Sequence, residues 1–271
     1  MNHYELLKLS IKAALYAGTE ILYFYNSSLT IQTKKDKTPL TQADINSNKI
    51  ILKFLNKASL PIISEENTMF SYSVRKKWKA FWLVDPLDGT KDFLKKNNQF
   101  TVNIALVENN KPVIGVIYAP ATGELFFGSK QTDSKKINIC NQRINDIKIE
   151  DILLKSKKIM VTNSKYDYSI AISNSHQNNE TEEYILNKKR LYKDLKIIKM
   201  GSSLKICKVA EGKISHYPRL GPTKEWDTAA GHAILNYAGG KLVDFNYKEL
   251  KYNKKDIVNP NFITKTNSDV I

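Results

Sequence analysis

The string Trp82-Leu83-Val84-Asp85-Pro86-Leu87-Asp88-Gly89-Thr90 constrains this chain more than any other part of it. Phe81 to Val84 is a short apolar run, read as a buried strand, and it delivers Asp85 and Asp88 at its carboxyl end. Pro86 fixes its own φ and biases Asp85 toward an extended shape. The two carboxylates can then converge, with the Leu87 carbonyl between them, as hard oxygen ligands for a small divalent cation. Gly89-Thr90 reads as the opening of a helix whose free amide hydrogens point at a phosphate. The simpler reading is a turn, in which Asp88-Gly89 reverses the chain and Asp85 caps it. Taken as a whole, the string favours cation and phosphate.

Around this string the apolar pattern changes period. Leu6, Leu7, Ile11, Leu15 and Leu22 fall at helical spacing and predict a long first helix from His3 to Tyr25. Ile31 to Thr38 is polar and lysine-rich, an expected exposed loop, and Thr41 can cap a second helix to about Leu55. Pro61 to Ser64 predicts a short strand. Thr101 to Glu108 and Val113 to Ala119 predict two more, joined by a turn at Asn109-Asn110-Lys111-Pro112, with another at Glu124 to Phe127. Beyond about residue 150 the pattern alternates. Strands are expected near Ile159, Ile170 and Tyr217, over Lys196 to Met200, and at the end of the chain. Helices are expected over Thr181 to Tyr192, Ser202 to Glu211 and Trp226 to Tyr237. The expectation is an α+β half with an antiparallel sheet over residues 1–150, then an α/β half over 151–271, with the boundary between 130 and 155.

Composition narrows the function classes. The formal net charge of +15 suggests a nucleic-acid or anionic-lipid partner, yet only four of the 42 basic residues are arginine. The lysines are scattered rather than clustered, so nucleic acid is not expected as the main partner. A positive field would still speed capture of a small polyanion. Cys140 and Cys207 have neither metal-ligand nor redox spacing and read as reduced thiols of a cytoplasmic protein. The N-terminus lacks the pattern of a secretory signal, and Ile11 to Tyr25 is too short and too polar to span a bilayer.

Other acids are candidates only by position. Glu65 and Glu66 follow a buried strand, where strand ends converge on one rim, although adjacent glutamates are usually a solvated loop. Asp44 in Thr41-Gln42-Ala43-Asp44 and Asp227 in Glu225-Trp226-Asp227-Thr228 read by default as helix caps or first-turn acids. His3, His216 and His232 read as structural.

Three blocks in order, Ser64-Glu65-Glu66, Trp82 to Thr90 and Trp226-Asp227-Thr228-Ala229-Ala230-Gly231, resemble the magnesium-dependent, lithium-sensitive phosphatases of the inositol monophosphatase superfamily. Within it, the chain most resembles the CysQ-type 3′(2′),5′-bisphosphate nucleotidases. The closer likeness lies in Lys91-Asp92-Phe93, Phe100 to Leu106, Gly115 to Pro120, Gly201-Ser202-Ser203-Leu204-Lys205 and Tyr217-Pro218-Arg219. The resemblance implies a layered αβαβα sugar-phosphatase fold. It implies that Glu65, Asp85 and the Leu87 carbonyl bind one magnesium ion, and that Asp85, Asp88 and Asp227 bind a second. Asp44 and Thr90 would orient a metal-activated water. Glu66 would assist a third ion or that water. Gly89 and Thr90 would hold the phosphate, and His176, Ser202, Lys205 and Arg219 the nucleotide with its second phosphate. The implied reaction removes the 3′-phosphate of adenosine 3′,5′-bisphosphate by in-line attack of water. An inositol- or sugar-phosphate phosphatase on the same fold is the alternative. The implied location is cytoplasmic, with peripheral attachment to the inner membrane face as a variant; the sequence leaves monomer and homodimer open. Asn174 stands where relatives often carry arginine, and the stretch from about Lys155 to Tyr168 is longer than usual.

Overall fold

Helix α1 (His3–Tyr25) begins where the Asn2 side chain accepts the Glu5 amide hydrogen at 2.9 Å, and it buries Leu6, Leu7, Ile11, Leu15 and Ile21 along one stripe. The computed structural model describes residues 1–27, 31–33, 39–139, 144–161, 168–174 and 178–266. Strands β1 (Ile31–Thr33) and β2 (Pro39–Thr41) pair antiparallel, so the expected loop begins as a strand; residues 34–38 of it lie outside the described residues. Helix α2 (Gln42–Leu55) follows, then β3 (Ile62–Ser64), the short α3 (Tyr72–Arg75), β4 (Ala80–Asp88) and α4 (Thr90–Leu94). Next come β5 (Thr101–Glu108), β6 (Lys111–Ala119), β7 (Glu124–Ser129), β8 (Asp133–Asn138), α5 (Ile149–Lys155) and β9 (Lys157–Lys158).

These strands form one seven-stranded sheet in simple order from β3 to β9. Only β3 and β4 are parallel; every later neighbour is antiparallel. Side chains alternate across it. Trp82 and Val84 of β4, with Ile104 and Val116, join the core under α1 and α2; Phe81, Leu83, Ala105 and Ile117 join the core on the opposite face. Pro112 lies inside β6 rather than in the turn. It faces Val107 beside a register shift, which suits a residue with no amide hydrogen to give the ladder. The strand expected near Ile159 ends at Lys158, and Ile159 adds one backbone bond to Ser134.

The remaining elements are β10 (Ser169–Ser173), α6 (Asn179–Leu191), β11 (Lys196–Met200), α7 (Leu204–Ala210), β12 (Pro218–Arg219), α8 (Glu225–Tyr237), β13 (Lys241–Asp244) and β14 (Phe262–Lys265). Strands β10 and β11 are a parallel pair, while β12, β14 and β13 form an antiparallel sheet. Helix α8 buries Trp226, Thr228, Ala229, Ala230, Ala233, Ile234 and Leu235, so it is covered nearly all round. One side lies against the large sheet, where a Cβ on Gly115 of β6 would sit 2.2 Å from the Ala230 carbonyl oxygen. Helices thus flank the main sheet on both faces, and small sheets lie beyond α8: the layered α/β architecture expected from the resemblance.

Candidate active site

Parallel pairing of β3 and β4, with Ser64 opposite Val84, brings their carboxyl ends to one rim. Glu65 continues that ladder, its amide donating to the Val84 carbonyl at 3.1 Å. On β4, register slips between Asp85 and Asp88, so Pro86 and Leu87 bulge and both acids stay at the rim. Asp85 is buried, and one of its oxygens accepts the Leu87 amide hydrogen at 3.1 Å. Asp227, in the first turn of α8, arrives from the other layer. Carboxylate oxygens of Glu65, Asp85 and Asp227 all lie within 4.8 Å of one another.

Asp88 lines the same cavity outside that tight trio. Its Oδ2 accepts the Ser203 amide at 2.7 Å, the Ser203 hydroxyl at 2.6 Å and Asn103 Nδ2 at 3.2 Å. Burial, followed by the charges of Asp88 and Glu65, pushes Asp227 well above the usual carboxylate range. Such crowding of like charge calls for a cation, and an all-oxygen donor set suits a hard divalent one.

Asp44 and Asp227 do act as helix-opening acids, but each reaches the site as well. Asp44 Oδ2 accepts the Thr41 amide at 2.7 Å and the Thr41 hydroxyl at 2.6 Å, while its Oδ1 lies 3.3 Å from Thr90 Oγ1. Asp227 Oδ2 accepts the Lys224 amide at 2.8 Å. Thr90 Oγ1 also reaches the Leu87 carbonyl at 3.2 Å. Glu66 follows Glu65, its amide 3.4 Å from Ser64 Oγ, and does not line the cavity.

The cavity holds about 240 Å³ and is lined by Glu65, Asp85, Asp88 and Asp227 together with Lys91, Lys205 and Arg219. Gly89, with φ of 89°, takes a left-handed conformation that glycine allows and lets the chain turn from β4 into α4. Lys205 on α7 is buried; its Nζ donates to the carbonyls of Ser202 at 2.7 Å and Met200 at 3.2 Å, and stands 5.3 Å from the Tyr217 ring centre. Burial, helped by the Arg219 cation, lowers its pKa to about 8, against the opposing pull of Asp88, Asp92 and Asp227. Arg219 Nη2 donates to the Pro222 carbonyl at 3.0 Å, whereas its buried Nε meets no protein acceptor. His176 lies outside the described residues. Sequence reasoning missed Ser203, Asn103, Asp92, Gln99 and Tyr217. Ser203, Asn103, Asp92 and Tyr217 lie inside motifs of the family resemblance but were given no role there; Gln99 lies just before one, and no local pattern marks it.

Fold and acid cluster together define a phosphatase of the sugar-phosphatase type, and the chain belongs to the inositol monophosphatase family, whose model matches residues 2–271. Among individual relatives, the chain is 39% identical over 251 residues to the 3′(2′),5′-bisphosphate nucleotidase CysQ of Salmonella typhimurium, covering 91% of this chain and 94% of that one. It is 42% identical over 240 residues to CysQ of Buchnera aphidicola, covering 87% and 83%. The crystal structure of CysQ from Bacteroides thetaiotaomicron superposes with a TM-score of 0.88 at 41% identity, covering 98% of each chain. Among the described residues, no helix is long and apolar enough to cross a membrane.

Proposed function

We propose that this chain is a magnesium-dependent 3′(2′),5′-bisphosphate nucleotidase, releasing the 3′-phosphate of adenosine 3′,5′-bisphosphate to leave AMP. The observation that carries the reading is one cavity lined both by the converging carboxylates and by two buried cations, Lys205 and Arg219. A substrate with two phosphates separated by a sugar matches a cavity that offers both a cation-holding acid cluster and fixed cations. The reacting phosphate sits at the acids, and the second phosphate meets the cations. An inositol monophosphate would leave Lys205 and the unpartnered Arg219 Nε without an anion to pair with.

Glu65, Asp85, the Leu87 carbonyl, Asp88 and Asp227 are the groups that would hold two cations, with Glu66 next to them for a third. When bound, these supply charge neutralisation of the phosphoryl oxygens and acidification of water. The chain's own groups do the rest. Amides at Gly89 and Thr90 orient the phosphate, which fixes its geometry before reaction. A water in line with the scissile P–O bond gives its proton toward Thr90 Oγ1, which can pass its own to Asp44 Oδ1 at 3.3 Å. Two hydrogen bonds from Thr41 hold the other Asp44 oxygen, so the acceptor cannot swing away. The new P–O bond forms as the bond to the 3′-oxygen breaks, and that oxygen leaves as the AMP hydroxyl after protonation from solvent. No cysteine or histidine lines the cavity among the described residues, so direct attack by water is preferred to a covalent phosphoenzyme.

Turnover with magnesium of adenosine 3′,5′-bisphosphate, its 5′-phosphosulfate analogue and inositol 1-phosphate, each with and without lithium, tests the reading. A clear preference for the first and inhibition by lithium are expected. Equal rates on all three would overturn the substrate assignment.

A further inference from the structure

Beside the acid cluster, Asp92, Asn97 and Gln99 of one short stretch and Asn174 at the end of β10 close into a hydrogen-bonded ring that passes through the Gln99 backbone amide. Asn97 Nδ2 donates to Asp92 Oδ1 at 2.5 Å, and Asn97 Oδ1 accepts the Gln99 amide at 3.0 Å. Gln99 Oε1 accepts Asn174 Nδ2 at 2.7 Å, and Asn174 Nδ2 lies 3.4 Å from Asp92 Oδ1, which closes the circuit. Gln99 Oε1 also accepts the Gly201 amide at 2.7 Å. One carboxamide oxygen therefore uses both lone pairs, one toward the end of β10 and one toward the end of β11.

What Gln99 holds is a strained turn. Ser202 has φ of 47°, a left-handed conformation that costs a residue bearing a Cβ. The turn is pinned on both sides: at Gly201 by Gln99, and at Ser203 by Asp88, which receives both the amide and the hydroxyl. Gly201 is packed so closely that a Cβ there would lie 2.5 Å from Asp92 Oδ2 and 2.7 Å from the Gln99 carbonyl oxygen. Lys205 Nζ holds the Met200 and Ser202 carbonyls, and the Asp227 backbone carbonyl accepts from the Ser203 hydroxyl. Losing the bond from Gln99 would therefore free the Gly201 end alone, enough to lengthen the bond from the Ser203 amide to Asp88.

We infer that Gln99 is a positioning residue for Asp88. Its side-chain oxygen keeps the 201–203 turn in the one conformation that orients the Asp88 carboxylate for a divalent cation. The inference rests on the metal-dependent reading above, and direct binding measurements separate the two. Calorimetric titration of the full chain with Mg²⁺ is compared for the unaltered protein, Gln99→Leu and Gln99→Glu. Phosphate release is followed against Mg²⁺ concentration in parallel. Gln99→Leu removes the acceptor and should weaken Mg²⁺ binding about tenfold, the size of loss common when a supporting partner of a metal ligand is removed. Its kcat at saturating Mg²⁺ should stay within about threefold of the unaltered value. Gln99→Glu keeps an acceptor oxygen and should bind within about twofold. No binding to the unaltered protein would refute the metal-dependent reading itself. Unweakened binding in Gln99→Leu, or equal weakening in both variants, would refute the role of Gln99 while leaving that reading in place. If Gln99→Leu does not fold, Gln99→Met, which keeps the side-chain length but also removes the acceptor for the Gly201 amide, should weaken Mg²⁺ binding about tenfold; unchanged affinity there overturns the inference.

Discussion

Replacing Gly115 by alanine tests how tightly α8, and with it Asp227, is seated on the main sheet. An added Cβ would lie 2.2 Å from the Ala230 carbonyl oxygen, 2.9 Å from Ala233 Cβ and 3.0 Å from the Ala230 carbonyl carbon. Ordinary contact needs roughly 3.4 Å or more, so strand and helix must part by about 1 Å. Two effects oppose each other. Alanine restricts the unfolded chain, worth about 0.4–1 kcal/mol in favour of folding. Overpacking typically costs about 1–3 kcal/mol, and the obstacle here is helix backbone, which no rotamer change relieves. The clash wins, leaving a net loss of about 2 kcal/mol, or a fall in melting temperature of about 4–8 °C for a chain of this size. Because Asp227 sits one turn before Ala230, the displaced helix also opens the carboxylate trio, and a misplacement of this order can cost about 10²-fold in rate. Thermal melts and turnover against Mg²⁺ concentration are measured together. Gly128→Ala is the milder comparison: its added Cβ would lie 2.7 Å from the Ser134 hydroxyl, which donates to the Ile234 carbonyl, and 3.1 Å from Ile234 Cα of the same helix, so a smaller loss of the same sign is expected. Gly115→Ala with unchanged melting and unchanged Mg²⁺ requirement would refute rigid seating of α8.

Asp88→Asn keeps an oxygen for the Ser203 donors but removes the charge; activity should fall about 10²–10³-fold with melting within a few degrees of the original, and retained turnover would exclude Asp88 from the site. With Lys205 titrating near 8 in the free protein, kcat/KM should decline as pH rises through that value while the cation is lost, and Lys205→Arg should carry the plateau higher. The sign on stability is opposite: the unfolded lysine keeps its proton to about 10.5, so the folded state gains between about 8 and 10.5. A flat kcat/KM profile from 7 to 9.5 would remove Lys205 from substrate binding. Burial drives the Cys207 thiol far above its usual range, so Cys140→Ser should resist thiol reagents until unfolded, as followed by absorbance of the released chromophore; rapid labelling of the native variant would show α7 opening.

How much of this was legible depended on whether a residue's role is local. The β4 string announced its chemistry because strand, proline, acids and glycine act within nine neighbouring positions. Helices α1 and α2 followed from apolar spacing and a threonine cap. Asp44 and Asp227 were legible from their own surroundings only as helix acids, and that reading was correct as far as it went. Their second role came from the resemblance, and its geometry appears only where α2 meets Thr90 and α8 meets the rim of β3 and β4. The polar strand β8, Asp-Ser-Lys-Lys-Ile-Asn, lacked the alternation that marks a strand, since its neighbour β9 covers only two residues of it. Ile31–Thr33 was hidden by the lysines that follow it. The roles of Gln99 and Asn103 could not be read locally, even though Asn103 lies in a motif of the resemblance, because their partners Gly201, Asn174 and Ser203 are 75 to 102 residues away.

Asp44 and Asp227 each spend one oxygen on the first turn of a helix and offer the carboxylate to the site. The act of starting the helix is therefore the act of aiming the acid. Much of the ordering that a flexible cage would suffer on capturing a cation has already occurred when the chain folds. Secondary structure and reactivity share the same atoms here, so neither helix can shift its start by one residue without dismantling the chemistry.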